Sequence, residues 1–246
     1  MKATQFEFRF RLIIILLLYV LGFWAPWTWT AYMFAPPPTT AWLALPETVA
    51  RWGWMPLNEG FVLVTGLAIL CGLAGAVLRV WGTAYLSASV VHSGAMHGDE
   101  VMASGPYRYV RNPLYLGSYF MALSVAILMP PSGAAVFLVM LGLFYFRLIL
   151  GEEAFLSAQG GVAYQEYRRQ VPRLVPRLRA RIPEGAARPQ WGMSLLAEFL
   201  PVTYPLCLAA LAWRYDPLLL IRCLLICFGL SLVTRAFLPK KTAAAE

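Results

Sequence analysis

Long apolar stretches alternate with short segments rich in arginine, proline, glycine and tyrosine along the chain. The apolar runs cover residues 12–33, 61–81, 114–129, 134–150, 195–213 and 218–238. A hydrocarbon core about 30 Å thick takes about 20 helical residues to cross, so this pattern predicts an all-α polytopic membrane bundle of about six transmembrane helices. The third and fourth runs are short, and the Pro130-Pro131-Ser132-Gly133 link between them leaves room for little beyond a hairpin at one membrane face. No proline interrupts the second run before the polar stretch from His92 to Ser104, so that helix is expected to continue through Arg79, Trp81 and Tyr85 toward Val91. Residues 36–58, with three consecutive prolines and Trp42, Trp52 and Trp54, read as an outer-face loop in the aromatic belt. Beyond Glu152 and Glu153, the residues Phe155, Leu156, Ala163, Tyr164, Tyr167 and Val171 recur at roughly helical spacing. They predict an amphipathic cytoplasmic helix, interrupted at Gly160-Gly161 and ended by Pro172. Residues 177–190 read as a surface connector to the last two helices.

Composition agrees. At 60% hydrophobic and 13% charged residues, with mean hydropathy +0.63, the chain has too little charge to solvate a globular surface of its size. Its net charge of +8 segregates by loop: seventeen of the twenty lysines and arginines fall on one side, and Arg51, Arg214 and Arg222 on the other. Short cytoplasmic loops hold positive charge, so both termini and the polar segments around residues 105 and 152 are expected in the cytoplasm. That charge reads as topology and attraction to anionic headgroups, with no basic domain suggesting nucleic acid. The first apolar run is too long for a signal peptide and no small-residue cleavage site ends it, so it is expected to remain as an anchor. Cys71, Cys207, Cys223 and Cys227 all fall in predicted spans without metal or disulfide spacing, and read as small apolar side chains. The expected organisation is a membrane core with a cytoplasmic cap over residues 1–185 and a C-terminal helix pair over 186–246.

The chemistry concentrates in Gly105-Pro106-Tyr107-Arg108-Tyr109-Val110-Arg111-Asn112-Pro113-Leu114-Tyr115. Polar and helix-breaking residues lodged against lipid are costly unless a site needs them. Asn112-Pro113 is a capping side chain before a proline at the first helical position, which marks a helix start. That end of a helix also favours anions, and capping alone weighs evenly against capping plus a ligand. Gly105-Pro106 supplies a turn, Tyr107 and Tyr115 flat faces with hydroxyl tips, and Arg111 a fork of donors; their clustering favours a site.

This block, with Glu152-Glu153, Tyr164, Tyr167 and the closing Val171-Pro172-Arg173, resembles the isoprenylcysteine carboxyl methyltransferase and phospholipid methyltransferase superfamily, membrane enzymes that use S-adenosylmethionine. The superfamily pattern Gly-Pro-Tyr-x-x-x-Arg-His-Pro-x-Tyr is matched at Gly105, Pro106, Tyr107, Arg111, Pro113 and Tyr115, with Asn112 where histidine is usual. Asparagine donates a hydrogen bond but does not titrate near neutral pH, which suits a holding or capping role and not that of a base. The resemblance implies cofactor contacts from His92, Asp99, Glu100, Val101, Met102, Tyr107, Arg111, Asn112, Pro113, Leu114, Tyr115 and Glu152. It also implies a substrate-binding arginine one helical turn before Glu152, where this chain has Leu148, with Arg147 one residue early. Either Arg147 reaches round to orient an anionic acceptor, or substrate recognition differs.

The implied function is transfer of a methyl group from S-adenosylmethionine to a lipophilic acceptor from the bilayer, such as the carboxylate of a prenylated cysteine, with Arg147 and Glu152 at the reaction and no metal. Two alternatives remain. Similar glycine, arginine and tyrosine patterns occur in NADPH-dependent membrane sterol reductases, where Arg108, Arg168 and Arg169 would meet the extra phosphate. Asn112 and the displaced arginine also suit a non-enzymatic binding module.

Overall fold

The computed structural model describes residues 2–24, 39–90 and 104–236, and all regular structure among them is helical. In chain order it comprises α1 (Gln5–Arg9), α2 (Arg11–Trp24), α3 (Ala41–Arg51), α4 (Leu57–Val90), a 3-10 turn (Gly105–Arg108), α5 (Pro113–Ala126), α6 (Pro131–Gln159), α7 (Gly161–Gln170), α8 (Trp191–Ala197), α9 (Phe199–Arg214) and α10 (Pro217–Ala236). Among the described residues α4, α6 and α10 are long and apolar enough to cross a membrane. The pair α8 and α9, bent by 64° at their break, makes a fourth candidate, and α2 and α5 are shorter apolar helices. The chain is thus an all-α, multi-pass membrane protein. Its six predicted apolar runs each coincide with a helix or bent pair, although residues 25–33 of the first and 237–238 of the last lie outside the described residues.

Local signals explain most boundaries. Thr4 and Glu7 form a reciprocal capping box that starts α1. Pro113 opens α5 without losing a needed N–H. Gly161, at φ +54°, breaks the chain between α6 and α7, and Pro172 follows the end of α7. One boundary differs from the sequence reading: Phe155 and Leu156 continue α6 to Gln159 and are exposed, while the buried apolar side of the following helix is carried by Tyr164 and Tyr167.

The chain forms two compact units. The first holds Met1–Gly72 and Tyr119–Ala154. Its core is the buried side of α6, with Phe137, Leu141, Leu148 and Ile149 all sealed from solvent. Gly22 of α2 lies so close to this core that a Cβ there would sit 2.7 Å from Met129 Sδ. The expected loop over residues 36–58 is partly a helix. The first two N–H groups of α3, from Ala41 and Trp42, donate to the Met129 and Ile127 carbonyls at 2.7 and 2.8 Å. Those acceptors satisfy donors that an isolated proline-rich segment would leave open, and Pro46 packs buried against Gly60.

At the start of this unit, Glu7 and Arg147 form a two-pronged ion pair, Nε to Oε1 at 3.1 Å and Nη2 to Oε2 at 2.9 Å. The Arg147 guanidinium, helped by the Thr4 backbone N–H, holds the Glu7 carboxyl down at about 2. A carboxyl lowered in the folded state stabilises it fully above its ordinary value near 4.5, and the contribution fades as pH falls toward about 2. The melting difference between wild type and Glu7→Gln is therefore expected to be largest at pH 6 and to shrink between about pH 4.5 and 2. A difference that stays constant from pH 6 to pH 2.5 contradicts the pairing.

The second unit holds Leu73–Ser118 and Phe155–Glu246. Tyr164 and Tyr167 of α7 pack with Val171 and Ile182 into a small core. Gln190 N–H donates to the Ala84 carbonyl at 2.9 Å and the Ser194 hydroxyl to the Val80 carbonyl, fastening the start of α8 to α4. The α9 and α10 pair encloses Leu208, Leu211 and Cys207, the last 3.6 Å from Cys227 between sulfur atoms.

Candidate functional site

The block from Gly105 to Tyr115 lies wholly in the second unit, between the end of α4 and the start of α5. Gly105 takes φ +54°, and its Cα faces the Tyr85 ring so closely that a Cβ would enter it. Only glycine reconciles that backbone with that neighbour. The chain then winds one 3-10 turn, with Tyr109 and Val110 N–H groups donating to the Pro106 carbonyl at 3.0 and 3.1 Å. Ser104, Gly105, Pro106 and Val110 are buried, so the turn is sunk into the unit while Tyr107, Arg108 and Tyr109 remain partly accessible.

A return segment from α7 to residue 182 laces the block in place. Tyr167 donates its hydroxyl to the Tyr107 carbonyl at 2.9 Å. Arg111 N–H donates to the Pro172 carbonyl at 2.9 Å, and its Nη1 reaches the Arg168 carbonyl at 3.4 Å. Asn112 Nδ2 donates to the Arg173 carbonyl at 3.2 Å, and Arg177 N–H donates to the Tyr109 carbonyl at 3.0 Å. Arg108 grips the Ile182 carbonyl with Nε and Nη2 at 3.2 and 3.1 Å and meets Glu184 at 3.3 Å. Each bond contributes on the order of 1 kcal/mol net, and their combined effect is to fix one backbone shape.

That shape delivers a defined helix N-terminus. Pro113 is buried, and Gly82 of α4 lets Leu114 approach so that a Cβ at Gly82 would lie 2.8 Å from Leu114 Cδ2. The start of α5 carries partial positive charge, and Tyr115 belongs to its first turn. The Tyr107 hydroxyl donates to the Gly82 carbonyl at 3.4 Å, a long hydrogen bond.

The structure thus brings Tyr107, Arg111, Asn112, Pro113, Leu114 and Tyr115 together on one braced element. Arg147 and Glu152 belong to the first unit, on α6. Arg147 is engaged with Glu7 there, Leu148 is fully buried, and Glu153 is the buried member of the acidic pair while Glu152 is half-exposed. His92, Asp99, Glu100, Val101 and Met102 lie outside the described residues. Sequence reasoning missed two groups near the block, Arg79 and Glu198, joined at 2.7 Å. A glutamate in the apolar run 195–213 was the available signal, because ionisable groups inside spans are rare without a partner.

Residues 63–159 match the family model described as phospholipid methyltransferase. Over 77 residues the chain is 34% identical to the protein-S-isoprenylcysteine O-methyltransferase of Schizosaccharomyces pombe, covering 31% of this chain and 33% of that protein. The chain therefore spans about a third of the length of the curated relative it matches. No solved structure matches it. The matched stretch contains the 105–115 block, α5 and α6, and excludes α7 to α10. These two matches make the stretch 63–159 similar to phospholipid and isoprenylcysteine methyltransferases.

Proposed function

We propose that the protein is an integral membrane methyltransferase that carries a methyl group from S-adenosylmethionine to a lipophilic acceptor drawn from the bilayer. The observation that supports this best is the helix N-terminus at Pro113, set by the buried Gly105 turn, braced by residues 167–182, and lying inside the matched stretch. The chemistry of the donor set fits the methionine end of the cofactor. A carboxylate is favoured at the start of α5, and the tyrosines offer hydroxyls and flat faces.

When bound, S-adenosylmethionine supplies an electrophilic methyl on its sulfonium. The protein's part is then to hold the donor, align the acceptor atom in line with sulfur and methyl, and exclude water. Tyr107 and Tyr115 flank the carboxylate position. Asn112 and Arg111 hold the loop through Arg173, Pro172 and Arg168. On the resemblance, Glu152 contacts the cofactor, as do the segment Asp99 to Met102 and His92. Arg147 orients an anionic acceptor when that acceptor displaces Glu7 from its guanidinium. Both termini and the site face the cytoplasm in this reading, following the distribution of lysine and arginine.

A phosphate-binding reductase site would draw on Arg108, Arg168 and Arg169, of which Arg108 is the most firmly held, while the contacts of Arg168 and Arg169 are exposed. Arg108 holds Ile182 and Glu184, Arg168 donates to Ser157 at 3.0 Å, and Arg169 pairs with Glu166 at 3.6 Å.

Incubating the purified protein with methyl-labelled S-adenosylmethionine and a total lipid extract tests the proposal. The expected result is label in a lipid-soluble product, lowered about tenfold by Glu152→Gln, the effect of losing one charge-assisted contact. No transfer by protein that remains folded contradicts it, and unchanged turnover in Glu152→Gln removes that residue from the site.

A further inference from the structure

Helices α8 to α10 lie outside the matched stretch, yet one carboxylate at their bend connects them to it. Glu198 sits at the 64° break between α8 and α9 and is 6% exposed. Both its oxygens are taken by Arg79 of α4, Nε to Oε2 at 2.7 Å and Nη2 to Oε1 at 2.9 Å, and the Thr83 hydroxyl adds a third bond to Oε1 at 2.9 Å. The remaining arm of the guanidinium, Nη1, donates to the Ser118 hydroxyl. Ser118 in turn donates to the Leu114 carbonyl at 2.8 Å. Leu114 is the second residue of α5, so the chain of bonds ends in the first turn of that helix.

The geometry around this relay is tight. A Cβ at Gly117 would lie 2.9 Å from both Arg79 Cγ and the Gly75 carbonyl, which presses the arginine against α5. An ion pair with a buried carboxylate and a half-buried guanidinium is costly to form and is a weak source of stability compared with well-packed hydrophobic side chains. Its fixed, directional hydrogen bonds are better suited to holding one helix in register against another.

We infer that Glu198 is a positioning residue for the proposed cofactor site, acting through Arg79 and Ser118 on the first turn of α5. The inference rests on the function proposed above. It assigns the C-terminal helices a role: they set the helix terminus at which the methyl donor's carboxylate binds. Ser118→Ala cuts the relay beyond Arg79 and leaves the ion pair whole.

Full-length protein in nanodiscs supplies the test, with amide hydrogen exchange over residues 111–117 and titration with S-adenosylhomocysteine. Ser118→Ala is expected to speed exchange in that first turn about tenfold and raise the dissociation constant about tenfold, with the melting temperature unchanged and kcat within about twofold. Glu198→Gln does the same more strongly, and Glu198→Asp recovers part of the affinity. If Glu198→Gln does not fold, Ser118→Ala decides alone. Wild-type exchange and affinity in Ser118→Ala overturn the inference. A wild-type protein that binds no S-adenosylhomocysteine overturns the methyl-donor reading instead, together with the cofactor role assigned to Glu198; faster exchange in Ser118→Ala then still identifies the relay.

Discussion

Gly105→Ala is expected to abolish S-adenosylhomocysteine binding and to lower stability by about 3 kcal/mol. The two causes are separable. An alanine at φ +54° costs about 1 kcal/mol in backbone strain relative to glycine. Its methyl group would also enter the Tyr85 ring, which cannot retreat freely because it is buried and its ring stands edge-on to Trp191 at 6.5 Å between centroids. Overpacking of that kind costs about 1–3 kcal/mol. The 3-10 turn that follows has buried Pro106 and Val110 as its anchors, so displacement at Gly105 moves Tyr107 and the entry to α5 together. Thermal denaturation and ligand titration of the variant check both halves. Added to a Tyr85→Ala background, Gly105→Ala should cost only the backbone strain of about 1 kcal/mol relative to Tyr85→Ala alone, because the ring it would strike is already gone.

The second large effect is expected at Asn112. Its amide ties α5 to the return segment through the Arg173 carbonyl, so Asn112→Ala leaves that carbonyl without this donor and frees the loop at the point where the helix begins. A loss of about 1–2 kcal/mol corresponds to about five- to thirtyfold weaker binding. Asn112→His distinguishes a tie from a base. An imidazole N–H donates as the amide does, so Asn112→His should bind within about fivefold of wild type, and turnover between pH 6 and 8 should keep its shape. A new ionisation in that profile, accompanied by faster methyl transfer, would show that the position takes part in proton transfer and contradict the holding role.

Much of this arrangement was legible in the sequence because local chemistry dictated it. Asn112-Pro113 marked a helix start, Gly160-Gly161 a break, and the apolar runs the membrane helices. The order of residues 105–115 also named the loop that the structure braces. What the sequence left open depends on partners far away in the chain. The helix α3 forms in a stretch that reads as loop because its first N–H groups meet carbonyls at 127 and 129. Arg147 read as the group that would orient an anionic acceptor, and Glu7 takes both prongs of its guanidinium from 140 residues away. Arg79 read as one more positive-inside charge, and its three engaged nitrogens reach residues 118 and 198. Spacing along one helix gives no access to such pairings. Within the acidic pair, helical geometry required the two side chains to diverge by about 100°. It did not say which would turn inward, and that is Glu153.

Isothermal titration of the purified full-length protein with S-adenosylhomocysteine, run beside NADPH, measures the central claim most directly. Micromolar affinity for S-adenosylhomocysteine that Gly105→Ala abolishes, with no heat from NADPH, is the predicted result. Affinity for NADPH alone, or for neither ligand in a protein that melts cooperatively, would contradict the account.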